Sequence, residues 1–187
     1  RVAIEGDTIV VGTWSKATVY VFRIADGGVN EVATLTADVA TPCINDNVNC
    51  EMWAGIGECD NNPGYMLVYC NAACGCGSES TFGRSVAIGG GTIVVGALED
   101  GPAAEGLVYV FRTSDGGTTY RQVATLTAGD AATGDRFGFS VEIDGDTVLV
   151  AAQQMPNGGP GAAYIFRTSD GGASYDQVAK LTASDGA

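Results

Sequence analysis

Short alternating apolar runs, broken by glycine-rich turns, recur three times along this chain. Val2-Ala3-Ile4, Val86-Ala87-Ile88 and Val141-Glu142-Ile143 each lead into a tight turn, of which Gly89-Gly90-Gly91 and Asp144-Gly145-Asp146 have hairpin chemistry. A short, fully apolar strand returns from each turn, as in Thr92 to Val95. A third strand follows, VYVFR at Val19, VYVFR at Val108 and AYIFR at Ala163, rich in β-branched and aromatic residues. The Asp115-Gly116-Gly117 segment supplies a positive-φ turn into a fourth strand around Val123 to Thr127. Helical periodicity is nearly absent. Phe111 and Phe166 occupy equivalent places, a period of 55 residues (166 − 111). Four antiparallel strands per unit of this length describe one blade of a β-propeller, so the expected fold class is all-β. Phe82 and Phe137, and Tyr20, Tyr109 and Tyr164, stand at equivalent places in the repeats and read as packing residues between blades.

One stretch breaks the pattern. Leu35 to Phe82 spans 47 positions where Leu126 to Phe137 spans 11, and all six cysteines lie in the excess, from Cys43 to Cys76. An even count so closely spaced reads as a disulfide framework formed in an oxidising compartment. A zinc site fits less well, because there is no histidine and Cys74-Gly75-Cys76 has one intervening residue, too few for a metal knuckle. Fifteen connectivities are open to six cysteines. The implied organisation is blade 1 over 1–38, its first strand incomplete, a cysteine module over 39–80, blade 2 over 81–132 and blade 3 over 133–187.

Composition narrows the function. A formal charge of −13, from 22 acidic and 9 basic residues, argues against nucleic acid and against docking on anionic lipid. The absence of histidine excludes imidazole bases, His triads and His metal sites. No apolar run approaches the roughly 20 residues of a membrane helix, so no membrane insertion is expected. The chain opens at Arg1 without a Met or leader and reads as a mature product or an excerpt of a longer chain. There is no N-glycosylation sequon.

The blades resemble the FG-GAP family, in the variant typified by GDxFGxSVAIDGDTIVVGAP. The third copy matches it through Gly134-Asp135, Phe137-Gly138 and Ser140, the second through Phe82-Gly83 and Ser85. The closing GAP triplet has become Gly12-Thr13-Trp14, Gly96-Ala97-Leu98 and Ala151-Ala152-Gln153. The resemblance implies a β-propeller used for adhesion, matrix or surface recognition, seldom for catalysis. Three blades cannot close a ring that needs at least four. The expected partners are therefore further blades of the same parent chain, or self-association into a fibre.

The cysteine module is similar to the ShK-type (ShKT) toxin domain. It carries Trp53-Ala54, Gly57-Glu58-Cys59 and Asn62-Pro63-Gly64-Tyr65-Met66, with Asp46 one place later than the usual acid and a last loop one residue short. The resemblance implies the pairs Cys43–Cys76, Cys50–Cys70 and Cys59–Cys74, and small helical turns near Trp53 and Tyr65. The family's toxins block channels with a Lys-Tyr pair. Tyr65 matches the tyrosine, but Gly64 stands at the lysine position, and the module holds Asp46, Glu51, Glu58, Asp60 and Glu79 with no Lys or Arg. A cation pore repels such a surface. A rigid interaction knob is the expected role.

No cofactor is expected. Calcium candidates are Asp144 with Asp146, Glu5 with Asp7, and the loop of Glu99, Asp100 and Glu105, but an isolated D-G-D offers two carboxylates to an ion that wants six to eight oxygens. Turn formation is the simpler role for these acids. No nucleophile–base pair is visible, so no enzyme is expected. Two functions remain in view. One is a non-enzymatic structural subunit of an extracellular, secreted fibre or matrix. The other is a recognition or adhesion module that binds an extracellular glycan or protein through blade loops and the cysteine knob.

Overall fold

A computed structural model describes residues 1–13, 17–25, 27–37, 49–50, 52, 81–101, 104–153 and 160–184. The chain divides into two compact units, Arg1–Ala37 with Thr81–Ala187, and Asp38–Ser80. In the second unit Cys50 and Met52 are helical, and Cys50 is buried and disulfide-bonded. The other five cysteines, the partner of Cys50 among them, and Trp53 and Tyr65 lie outside the described residues.

The first unit is three antiparallel sheets of four strands, each in simple sequential order. Blade 1 contains β1 (Val2–Glu5), β2 (Thr8–Thr13), β3 (Thr18–Ala25) and β4 (Gly28–Leu35). Blade 2 contains β5 (Ser85–Gly89), β6 (Thr92–Ala97), β7 (Leu107–Arg112) and β8 (Arg121–Leu126). Blade 3 contains β9 (Ser140–Asp144), β10 (Thr147–Ala152), β11 (Ala162–Arg167) and β12 (Asp176–Leu181). The all-β, propeller-type expectation holds. The first strands lie side by side, β1 beside β5 and β5 beside β9.

Local chemistry repeats with the fold. Gly90 and Gly91 both take positive φ (58° and 74°), the pattern of a type I′ hairpin. At Gly145 only the first central residue does (φ 55°), as in type II′, which lets Asp146 follow without strain. Each third strand meets its fourth across a register shift, at Val21/Phe22, Val110/Phe111 and Ile165/Phe166. The extra residue opposite is Val32, Val123 or Val178, so a β-bulge twists every outer edge at the same place. Outer edges bent this way are poorer templates for foreign strands.

The core sits between blades rather than within them. Period-2 alternation gives each sheet two apolar faces, here called leading and trailing. The trailing face of blade 1 (Val10, Val19, Val21, Leu35) packs on the leading face of blade 2 (Ile93, Val95, Tyr109, Phe111) with Phe82 in the seam. The trailing face of blade 2 (Val94, Val108, Val110, Leu126) packs on the leading face of blade 3 (Val148, Val150, Tyr164, Phe166) with Phe137 in the seam. Phe82, Phe137, Tyr109 and Tyr164 are buried as expected of packing residues. Tyr20 is only half-buried, because no described blade covers the leading face it occupies.

Each seam has one tight contact. The backbone of Gly83 lies on Gly12, and the backbone of Gly138 lies on Gly96, where the buried Ser85 hydroxyl also donates to the Gly138 carbonyl at 2.7 Å. Arginines at the ends of the third strands tie the outer loops across the seams. Arg23 Nη2 donates to the Gly116 carbonyl, and the Arg112 guanidinium lies against Gly172.

Candidate functional site

Three loop systems converge at one end of the second seam. Thr81 and Arg84 precede β5, Leu98 and Glu99 follow β6, and Arg136 and Phe139 precede β9. These six residues line an open cleft of about 300 Å³. The corner is held from behind. Thr81 N donates to Asp100 Oδ1 at 3.1 Å, Glu99 N donates to Thr81 Oγ1 at 2.9 Å, and Arg84 N donates to the carbonyls of Thr81 and Gly96 at 2.9 and 3.1 Å. Arg136 sits at φ 54°, in the left-handed region that disfavours residues with a Cβ. Its carbonyl accepts from Phe139 N at 3.1 Å and its Nη1 donates to Gln153 Oε1 at 3.2 Å. Phe139 leaves 37% of its surface in water. Nothing in the repeat pattern singles out this corner, because it is assembled from positions at which the copies differ: Arg84 in one is Phe139 in the next, and Leu98 is Gln153.

The acids weighed as calcium ligands are dispersed. Asp144 and Asp146 flank the β9–β10 hairpin, whereas Glu99 and Asp100 follow β6 at the opposite end of its sheet. Asp100 is engaged with Thr81 N and, at 3.4 Å, with the Tyr109 hydroxyl. Glu5 Oε1 accepts from Gly90 N at 2.9 Å, which joins the hairpins of blades 1 and 2. No cluster of three or more metal-ligating acids occurs among the described residues.

The outer loops are better organised than a bare Gly-Gly turn requires. Asp115 Oδ1 accepts from the backbone N–H groups of Thr118 and Thr119 at 3.0 and 2.9 Å and from the Thr113 hydroxyl at 2.8 Å, while the Thr119 hydroxyl donates to Oδ2 at 2.6 Å. Asp170 repeats this with Ala173, Ser174 and Thr168. The hydroxyl of Thr119, and in blade 3 of Ser174, is the largest influence holding these carboxyls well below the usual carboxylate range. Depressed carboxyls stabilise the loop at pH above their unfolded value of about 3.9, and that contribution fades as pH falls below it. Carbon-detected NMR titration is expected to show Asp115 and Asp170 still ionised at pH 3, with the loop amides of Thr119 and Ser174 shifting only in stronger acid. Carboxyl midpoints near 4 would contradict this.

A second polar cluster joins Asp130 to blade 3. Tyr164 Oη donates to Asp130 Oδ1 at 2.9 Å, and Lys180 Nζ lies 2.6 Å from Oδ2 and 5.3 Å from the centre of the Tyr164 ring. The Lys180 ammonium lowers the Asp130 carboxyl, and burial raises the Tyr164 phenol. Both charges remain substantially exposed, so this pair adds little stability.

Residues 76–111 and 120–166 match the FG-GAP repeat, and residues 42–76 match the ShK domain-like family. The chain carries FG-GAP repeats and an ShK-like domain. The FG-GAP match covers most of blades 2 and 3. Blade 1 has the same four strands, yet lies outside that match. A tyrosinase-like protein of Caenorhabditis elegans, tyr-3, is 50% identical over 34 residues, 18% of this chain and 5% of its own length. Among solved structures, Sqt1 of Saccharomyces cerevisiae superposes with a TM-score of 0.53 at 10% identity over 97% of this chain. A europium-containing methanol dehydrogenase does so with 0.55 at 14% identity over 96%. The chain spans 34% and 23% of those two proteins, and at such identities the likeness speaks for the fold alone. No helix among the described residues is long and apolar enough to cross a membrane. FG-GAP repeats combined with an ShK-like domain point to modules of extracellular adhesion and recognition.

Proposed function

We propose that this chain is a non-enzymatic extracellular scaffold whose blades join further blades, from the same parent chain or from neighbouring copies, into a fibre or matrix. The carrying observation is a pair of uncovered sheet faces. On the leading face of blade 1, Val2 and Ile4 are 69% and 63% exposed, although Val141 and Ile143 at the same positions of blade 3 are buried. On the trailing face of blade 3, Leu149 and Leu181 are 40% and 50% exposed, although Val94 and Leu126 of blade 2 are buried at those positions. The two faces are complementary in kind, because leading meets trailing at both internal seams. A head-to-tail contact of this type closes a ring or grows a filament.

Sedimentation velocity of the 187-residue chain across a wide concentration range tests the reading. Concentration-dependent association is expected, reduced by Val2→Asp combined with Ile4→Asp. A monomer unchanged up to millimolar concentration would refute assembly between copies.

A further inference from the structure

The corner between blades 2 and 3 carries an inference that is independent of blade stacking. We propose that it binds a uronic-acid residue of an extracellular glycan, with Arg84 and Arg136 holding the carboxylate and Phe139 stacking on the sugar ring.

Charge is the first reason. The chain has 22 acids and 9 basic residues, so a guanidinium has many carboxylates to choose from. Yet neither Arg84 nor Arg136 is ion-paired with a described acid, and the ion pair found among the described residues is Lys180 with Asp130. Two arginines line one cleft, and an anion bound there would be attracted by both charges. Arginine forks suit a planar carboxylate, which can take two parallel N–H donors. Arg136 has spent one nitrogen on Gln153, which orients the fork and leaves its other donors for a ligand.

Preorganisation is the second. Arg136 is held at φ 54° between a buried neighbour, Phe137, and a turn closed by its own carbonyl. Strained backbone of this kind persists where the surroundings over-determine it, and such sites concentrate at ligand clamps. The side chain is thereby presented from a rigid base, which reduces the entropy lost on binding.

The remaining walls select among carboxylates. Phe139 lines the cleft with the arginines and leaves 37% of its surface in water, an apolar surface suited to the C–H face of a pyranose. Glu99 can accept hydroxyl hydrogens, and its charge opposes dianionic phosphate and runs of acidic side chains more than a single carboxylate. About 300 Å³ lies at the lower end of ligand clefts and accommodates one hexose ring. One carboxylate, several hydroxyls and an apolar ring face together describe a hexuronate.

Calorimetry of the 187-residue chain with a glucuronate trisaccharide tests this, with a neutral glucose trisaccharide and a tri-aspartate peptide as comparisons. The uronate is expected to bind at least about tenfold more tightly than either, in line with a charge-assisted hydrogen-bond pair. Arg84→Gln and Arg136→Gln should each weaken it about tenfold, with unchanged circular dichroism. Arg136→Lys, which keeps the charge without the fork, should also weaken binding and serves if the glutamine variant fails to fold. Equal affinity for the neutral sugar, tighter binding of the peptide, no uronate binding at millimolar concentration, or full affinity in the folded arginine variants would each overturn the assignment. None of these results bears on stacking, which sedimentation reads separately.

Discussion

Gly96→Ala is expected to be among the most destabilising single substitutions in the blades, although it adds one methyl group. A Cβ at Gly96 would lie 3.0 Å from the carbonyl carbon of Gly138, and closer still to its oxygen and to the Ser85 hydroxyl. Backbone occupies that space, so relief requires the lead-in of blade 3 to lift from blade 2. Lifting it strains the 2.7 Å bond from Ser85 and the 2.9 Å bond from Phe137 N to the Glu105 carbonyl. Overpacking of a well-packed site costs about 1–3 kcal/mol, and a clash against backbone belongs at or above the top of that range. A loss of roughly 3 kcal/mol corresponds to a fall in Tm of about 6–12 °C for a chain of this size. Gly90→Ala is a control, because a Cβ there meets nothing within 4 Å and the cost is limited to its positive φ. Differential scanning calorimetry giving Gly96→Ala the stability of the parent would refute this account of the seam.

The same position shows how far the sequence can be read. Four strands per blade, their turns and the packing role of Phe82 and Phe137 were legible because period-2 alternation and Gly-rich turns are local signals that repeat. The meaning of Gly12 and Gly96 was not. In sequence they are only the remains of a GAP triplet, and Ala151 in the third copy reads as harmless drift. The seam gives that drift a consequence, since an Ala151 Cβ occupies the place where the Gly carbonyl of a following blade would rest. Glu142 adds an exposed charge to the same face, where blades 1 and 2 have Ala3 and Ala87. A blade joining blade 3 therefore fits this face less closely than at the two internal seams, and Ala151→Gly with Glu142→Ala should strengthen any association through it. The arginine corner was equally hidden. It depends on residues 81, 84, 98, 99, 136 and 139 meeting across a seam, and contacts between repeats leave no local pattern. Asp115 was legible as a turn residue, but its role in tying down the Thr118 and Thr119 amides depends on loop geometry. For the cysteine module, count and spacing pointed to cross-linking, and Cys50 is disulfide-bonded.

Phe137→Ala is expected to cost about 3–5 kcal/mol, the range for deleting a buried phenyl group. The side chain is fully buried, with its ring 5.5 Å from that of Tyr164 and 5.9 Å from that of Phe166, both nearly edge-on at 68° and 73°. Such pairs add to the stabilisation from burial alone. The void would be difficult to fill, because Phe137 is fastened by its backbone to Glu105, and Gly134 N donates to Ala104 O at 3.2 Å. Around it stand two sheets whose strands are fixed by their own ladders, so neither wall can collapse inward without breaking register. Against a total stability of about 5–15 kcal/mol, roughly a fifth or more would be lost. The loss should also be uneven. Hydrogen exchange is expected to accelerate most in β9–β12, which touch the rest of the unit through this seam, and least in β1–β4, which share the Phe82 seam. Phe139→Ala, two residues on and partly in water, should cost less, about 1–2 kcal/mol. Uniform acceleration across all three blades would show that the unit unfolds as one cooperative block rather than blade by blade, and an unchanged Tm would show that the seam does not depend on its phenylalanine.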